Sequence, residues 1–317
     1  MKPIAILYEH PEWFKPLFAE LDRLGAPYVA LHADEHVFDP DERDAPFSLV
    51  VNRMSPSAWM RGQRDAIFHT LRYLEHLDAI GVPVLNGAAA FRYELSKAAQ
   101  YSLMARLGIR HPVTRVLSRP DQAPAAADEL RFPVLIKPNI GGSGAGITSF
   151  ATPGELDAAV RAGSLDFGID HVGLLQEHVP AQGDAIVRIE ILDGRFLYAI
   201  RLLLTPGTFN LCPADYCELP GMADGVSGRG LPIEAWEPPA EIIAQAQRLV
   251  AAAGMDVGGV EYLLSARDGE ACFYDINALS NFVADAPNVI GFNPYVDLSE
   301  LIAARAGLAA AAGISAA

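Results

Sequence analysis

A strand that runs straight into a glycine-dense loop constrains this chain more than any other feature. Val134-Leu135-Ile136-Lys137 reads as a buried strand, and Pro138-Asn139-Ile140 leads into Gly141-Gly142-Ser143-Gly144-Ala145-Gly146, four glycines in six positions. Without Cβ atoms, such a backbone can approach a ligand closely and aim several N–H groups at one point. Lys137 adds a cation beside that cradle, and together they suit phosphate. No Gly-Lys-Ser/Thr closes the loop onto a helix, so it is not a P-loop. The run leads into an apolar stretch at 147–150 that reads as a strand, so it is not the dinucleotide fingerprint either. Taken alone, the loop leaves a glycine-rich hairpin turn open as the alternative.

Upstream, short apolar runs at 4–8, 28–31, 49–51 and 82–85 alternate with helical patterns, one at 14–24 and one carrying Ile67, Leu71, Leu74 and Leu77. Gly25 and Gly81 supply their C-terminal stops. Strand–helix alternation with short connections predicts an α/β domain with a parallel sheet over 1–92. Downstream the pattern predicts a helix over 94–107 and strands at 114–117 and 174–179. Thr152-Pro153-Gly154-Glu155 is a capping box with proline at the first helical position, so a helix runs to about Arg161. Residues 185–192 and 196–204 read as a hairpin across Asp193-Gly194, and 259–265 and 271–277 as another through Asp268-Gly269, with a helix over 241–253. Hairpins mixed with helices predict a two-part α+β fold, 93–178 and 179–306, followed by an alanine-rich tail at 307–317.

A formal net charge of −15 provides no electrostatic footprint for nucleic acid or an anionic membrane, so an anionic substrate must meet local cations. No apolar run approaches the length of a membrane span, and the apolar stretch at 4–8 is too short for a signal-peptide core. Three cysteines, Cys212, Cys217 and Cys272, make neither a disulfide framework nor a zinc spacing, and the cytoplasm is the expected compartment.

A second group lies far downstream. Asp275 and Asn277 sit two apart on one predicted strand and so share a face, and the Asp268-Gly269 turn brings Glu261 beside them. Two carboxylates and an amide oxygen suit Mg²⁺ bound through substrate phosphates. A solvent-facing strand is the alternative, although the flanking residues are apolar.

Taken in order, these pieces resemble the ATP-grasp superfamily over residues 93–304. The series comprises Leu95-Ser96-Lys97-Ala98, the strand lysine Lys137 before the glycine lid, the hinge Leu175-Gln176-Glu177-His178-Val179-Pro180, the strand Asp184-Ala185-Ile186-Val187-Arg188 and the acidic set. Within the superfamily the chain is most similar to the RimK and glutathione-synthetase-like amino-acid ligases. The resemblance implies that Lys97 and Lys137 contact ATP phosphates under a lid of Gly141, Gly142, Ser143, Gly144 and Gly146. It implies that Gln176, Glu177 and Val179 hold adenine, that Asp184 takes the ribose, and that Arg188 and Arg201 face the transferring phosphate. Glu261, Asp275 and Asn277 would bind Mg²⁺, with Mn²⁺ as an alternative. Arg53, within Val51-Asn52-Arg53-Met54-Ser55-Pro56-Ser57, and Asn210, Asp215 and Asn281 are candidate substrate contacts. The loop at 205–231 departs from the RimK pattern, with Phe209-Asn210-Leu211-Cys212-Pro213-Ala214-Asp215-Tyr216-Cys217 where Asn, Arg and Gly are usual.

The implied activity joins a small carboxylate to an amine of an amino acid or peptide through an acyl phosphate, in a chain compatible with a homo-oligomer. Two other readings stay open: a non-catalytic ATP-binding regulatory module, and an ATP-grasp enzyme with a non-amine acceptor.

Overall fold

The computed structural model describes residues 2–10, 12–142, 144–204 and 233–308. Strands β1 (Ile4–Tyr8), β2 (Tyr28–His32), β3 (Leu49–Arg53) and β4 (Val84–Leu85) form a parallel sheet in the order β2-β1-β3-β4. Its central strands are apolar on both faces, as a sheet covered on both sides requires. Ile4, Ile6, Leu49 and Val51 pack with Leu17 and Leu21 of α1 (Lys15–Arg23). Ala5, Leu7 and Val50 pack with Ile67, Leu74 and Leu77 of α2 (Arg64–Ala79).

Two helices follow, α3 (Ala88–Glu94) and α4 (Lys97–Arg106), where the sequence suggests a single helix over 94–107. The break has a local cause. Ser96 is extended and its hydroxyl caps Ala99 N, while the Asn139 main-chain and side-chain oxygens accept from Lys97 N and Ala98 N. These partners satisfy the first N–H groups of a new helix and put Lys97 at its first position.

A small antiparallel sheet then forms from β5 (Thr114–Leu117), β6 (Val134–Pro138), β7 (Thr148–Phe150) and β8 (Gly173–Glu177), in the order β5-β8-β6-β7. It packs on α5 (Ala123–Ala127) and α6 (Pro153–Ala162) through Val134, Ile136, Phe150, Leu156 and Leu175. Thr152 caps α6 as its sequence indicates, although Glu155 reaches back to Ala151 N, not to Thr152 N.

The third sheet joins β9 (Ala185–Leu192), β10 (Arg195–Leu203), β11 (Ile233–Ala235), β12 (Val257–Leu264) and β13 (Ala271–Asn277) in the order β11-β10-β9-β12-β13. Asp193 and Gly194 both have positive φ, the geometry of a two-residue hairpin turn that matches strand twist. One face, with Ile186, Ile200 and Leu202, packs toward β1, α1 and Leu298 of α9 (Pro294–Arg305). The other, with Val187, Ile189 and Ala199, packs on Met104 of α4 and Leu249 and Val250 of α7 (Ala240–Ala252).

Asn86 fastens the first sheet to the third. Its amide nitrogen donates to Val257 O at 2.7 Å and Ala278 O at 2.6 Å, and its oxygen accepts from Asp256 N and Val257 N. No described helix is long and apolar enough to cross a membrane.

Candidate active site

An open cleft lies where the three sheets meet. The glycine loop and Lys137 line one side of it, Glu261, Asp275 and Asn277 the floor, and Trp13, Ser55, Pro56 and Ser57 of the N-terminal domain the opposite side. Lys97, Arg188 and Asn281 also line it.

Strand register builds the floor. Glu261 pairs with Arg188 on β9 and with Asp275 on β13, so the three stand in one cross-strand row. A β-bulge after Glu261 breaks the alternation, and both Tyr274 and Asp275 line the cleft although they are neighbours in sequence. Lys97 Nζ meets Asp275 Oδ1 at 2.5 Å across 178 residues of chain.

Arg188 is buried, and each of its three guanidinium nitrogens donates one hydrogen bond. Its Nε donates to Glu190 Oε1 at 2.6 Å, Nη1 to Glu261 Oε1 at 3.1 Å and Nη2 to Ser280 Oγ at 3.0 Å. Burial opposes its charge, but Glu190 and Glu261 outweigh that and hold its pKa above the usual value. Gly259 makes room for it: a Cβ there would stand 2.5 Å from Nη2 and 2.9 Å from Cζ. Burial likewise pushes the Glu261 carboxyl up, against the opposing charge of Arg188.

Lys137 is 5% exposed and donates to Tyr101 Oη at 2.6 Å. Burial, reinforced by the charge of Lys97, lowers its pKa from 10.5 to about 7. Glu94, also buried, accepts from the main-chain N–H groups of Ala278 and Leu279, which follow Asn277 directly. Burial raises its carboxyl to about 7.

The described residues contain no group of three His, Cys, Asp or Glu side chains arranged to hold a metal ion. The floor offers two carboxylates and one amide, with Asp275 held by Lys97, Glu261 held by Arg188, and Asn277 Nδ2 buried without a partner among the described residues. Hard oxygen donors so few in number fit a Mg²⁺ ion that takes most of its ligands from substrate phosphates and water.

Several candidate residues lie elsewhere. Arg201 pairs with Val187, one step from the Arg188–Ile200 pair, and so belongs to the opposite sheet face. There it donates to Glu234 at 2.6 Å and lies 4.3 Å from the centre of the Trp236 ring. Arg53 is fully buried, donates to Ser280 O and sits over Phe14, so it neither lines the cleft nor forms a surface ion pair. Gln176 donates to Thr114 Oγ1, and the Glu177 carboxylate accepts from Arg131 N and Arg267 Nη1. Half-buried Val179 and exposed Asp184 do not line the cleft. Gly141, Gly142 and Gly144 line it, while Gly146, at φ +75°, packs on Pro138. Ser143, Asn210 and Asp215 lie outside the described residues.

Two contributors escape sequence reasoning. Asn139, beyond its capping of α4, donates to Asp170 Oδ2, so it ties the start of α4, which carries Lys97, to the end of β6, which carries Lys137. The Trp13–Ser55–Ser57 side depends on domain packing that no local pattern encodes.

A parallel α/β domain followed by two antiparallel sheets that meet over a glycine loop and an acidic floor is the ATP-grasp fold, and this chain has that fold. Residues 95–211 match the RimK-like ATP-grasp domain family. The chain is similar to a probable alpha-L-glutamate ligase of Pseudomonas paraeruginosa, 25% identical over 164 residues, 51% of each chain. It is also similar to the D-alanine--D-alanine ligase of Geobacter sulfurreducens, 25% identical over 244 residues, 74% of this chain and 73% of that one. The chain thus spans about half the length of the glutamate-ligase relatives it matches. Its fold is shared with the ATP-grasp ligase PsnB, solved with a phosphomimetic variant of minimal precursor, Mg and ADP. That likeness has a TM-score of 0.67 at 16% identity and covers 96% of this chain and 99% of the other.

Proposed function

We propose that this protein is an ATP-dependent carboxylate–amine ligase, forming an amide or peptide bond through an acyl phosphate and releasing ADP and phosphate. One observation carries the reading: Lys97, Lys137, the glycine loop and the Arg188–Glu261–Asp275 row converge on a single cleft, as phosphoryl transfer to a bound acid requires.

A carboxylate is a poor electrophile because oxide would have to leave. In the proposed first step a carboxylate oxygen attacks the γ-phosphorus, the bond to the bridging oxygen breaks, and ADP departs with that electron pair. In the second, an amine attacks the acyl carbon, the carbon–oxygen bond to phosphate breaks, phosphate leaves, and the nitrogen sheds a proton. Lys97 and Lys137 hold and neutralise the phosphates, and main-chain N–H groups of Gly141, Gly142 and Gly144 complete the cradle. Arg188, rigid between Glu190 and Glu261, faces the transferring group at fixed geometry. Glu261, Asp275 and Asn277 would hold Mg²⁺, which supplies charge neutralisation for the phosphates when bound. The loop sits against Ser57, where a Cβ at Gly142 would approach to 3.3 Å, and this supports exclusion of water from a labile acyl phosphate. Adenine is assigned to main-chain groups around Val179, since the Gln176 and Glu177 side chains are already engaged, and the ribose to Asp184.

Phosphate release from ATP with Mg²⁺ and pooled amino acids tests the reading. Release that needs an amino acid, with an amide product seen by mass spectrometry, is the expected result. ATP binding without release under any pool would refute it and favour a non-catalytic nucleotide-binding module.

A further inference from the structure

The N-terminal side of the cleft is an apolar wall built over a small aromatic cluster. Trp13, Phe14 and Leu279 form a buried cluster of their own, with Tyr8 and Phe18 packed against it. Tyr8 meets Phe14 and Phe18 edge to face at 5.9 and 5.5 Å. Trp13 and Leu279, together with Pro56, present this cluster to the cleft.

Among the described residues, the charges near the wall are already matched. Arg61 lies 4.9 Å from the centre of the Trp13 ring but is bound to the buried Glu9 carboxylate, and it also donates to Ser57 Oγ at 3.2 Å. Ser55 and Ser57 share a hydrogen bond of 2.7 Å. His10 stacks on Trp13 at 4.3 Å, and burial followed by the charge of Arg61 lowers its pKa to about 4, which leaves it neutral near pH 7. The cations among the described cleft-lining residues are Lys97, Lys137 and Arg188, all beside the floor and the glycine loop. Lys97 and Arg188 are ion-paired to Asp275, Glu190 and Glu261.

From this we infer that the carboxylate substrate is an amino acid with an uncharged, apolar side chain, which lies against Trp13, Pro56 and Leu279. The inference rests on the ligase reading above. The wall adjoins the phosphate cradle at Ser57 and Gly142, so a group resting on it has its carboxylate near the transferring phosphate. A second carboxylate, such as that of glutamate, would be stripped of water there, and among the described residues the nearest cation, Arg61, is already paired with Glu9. An aliphatic or aromatic side chain instead gains burial against carbon.

The test is calorimetric titration of the full chain with Mg²⁺ and a non-hydrolysable ATP analogue, using leucine, phenylalanine and glutamate as both enantiomers. Leucine or phenylalanine should bind at least tenfold tighter than glutamate. Trp13→Ser and, from the segment that follows β13, Leu279→Asn should each shrink that preference to less than threefold while circular dichroism and a cooperative melt show that the variant is folded. Two different variants guard against one that fails to fold. Equal or tighter binding of glutamate, no binding of any of the three, or a preference unchanged in both folded variants would overturn the inference. Turnover separates it from the ligase reading. Leucine binding without amide formation leaves the wall and removes the ligase, whereas glutamate-dependent amide formation keeps the ligase and removes the wall.

Discussion

Replacing Lys137 by methionine should stabilise the nucleotide-free protein while removing its response to ATP. Lys137 is buried, its ammonium donates to Tyr101 Oη and lies 5.0 Å from the centre of that ring, and burial drops its pKa from 10.5 to about 7. At about 1.4 kcal/mol per tenfold change in protonation, that drop disfavours the charged form by up to about 5 kcal/mol. Methionine has similar length and no charge. Its gain is reduced by the hydrogen bond from the ammonium that Tyr101 Oη loses, worth about 1–3 kcal/mol, although that hydroxyl still donates to Tyr274 O, and by water reaching the cleft. A net gain of about 1–3 kcal/mol, or roughly 2–4 °C per kcal/mol, follows.

The sign with pH is fixed by linkage. The folded pKa lies below the unfolded one, so between about pH 7 and 10.5 the unfolded chain binds more protons and wild-type stability rises with pH. The Lys137→Met variant lacks this term, so its advantage should be greatest at pH 7 and below and shrink toward pH 9. Urea melts at pH 6.5, 7.5 and 9 with and without ATP–Mg²⁺ supply the assay. A variant less stable than wild type at pH 7, an advantage that does not change with pH, or ATP stabilisation equal to wild type would each refute the reasoning.

Asn139→Ala should raise KM for ATP and lower kcat by about 10- to 100-fold in steady-state assays, because Lys97 and Lys137 lose their common anchor; Asn139→Asp, which keeps the acceptor oxygen, should recover part of the loss. Asp275→Ala combined with Asn277→Ala should abolish turnover while circular dichroism and melting remain close to wild type; full acceptor-dependent ATP consumption would disprove the floor assignment. Gly259→Ala should cut kcat by about 100-fold by displacing the Arg188 guanidinium, with nucleotide affinity measured by titration changing less than kcat. Arg201→Ala, on the opposite sheet face, should change turnover by less than about twofold, and a loss as large as that of Arg188→Ala would reverse its exclusion from the cleft.

Local pattern carried much of the architecture. Period-two runs and Asp-Gly turns marked the hairpins at 185–203 and 257–277, and the Asp275–Asn277 spacing with the turn before it placed Glu261 opposite Asp275. What local pattern does not show shares one cause: it depends on partners distant in sequence. A uniform helical pattern hid the break at Ser96, because the oxygens that start α4 belong to Asn139. Arg201 looks equivalent to Arg188 until the β9–β10 register shows that they occupy opposite faces. Arg53 reads as a candidate substrate contact, and its guanidinium donates to the main chain of Ser280, 227 residues away. The apolar wall exists only after the N-terminal domain docks, through contacts such as those of Asn86 with Val257 and Ala278.

The central claim is that ATP activates a carboxylate as an acyl phosphate before an amine displaces the phosphate. Turnover with a substrate labelled with ¹⁸O in its carboxylate tests this most directly, with mass spectrometry of the phosphate released. The account predicts ADP as the nucleotide product and one ¹⁸O delivered to inorganic phosphate for every amide formed. Amide formation with unlabelled phosphate, or with AMP and pyrophosphate as products, would contradict it.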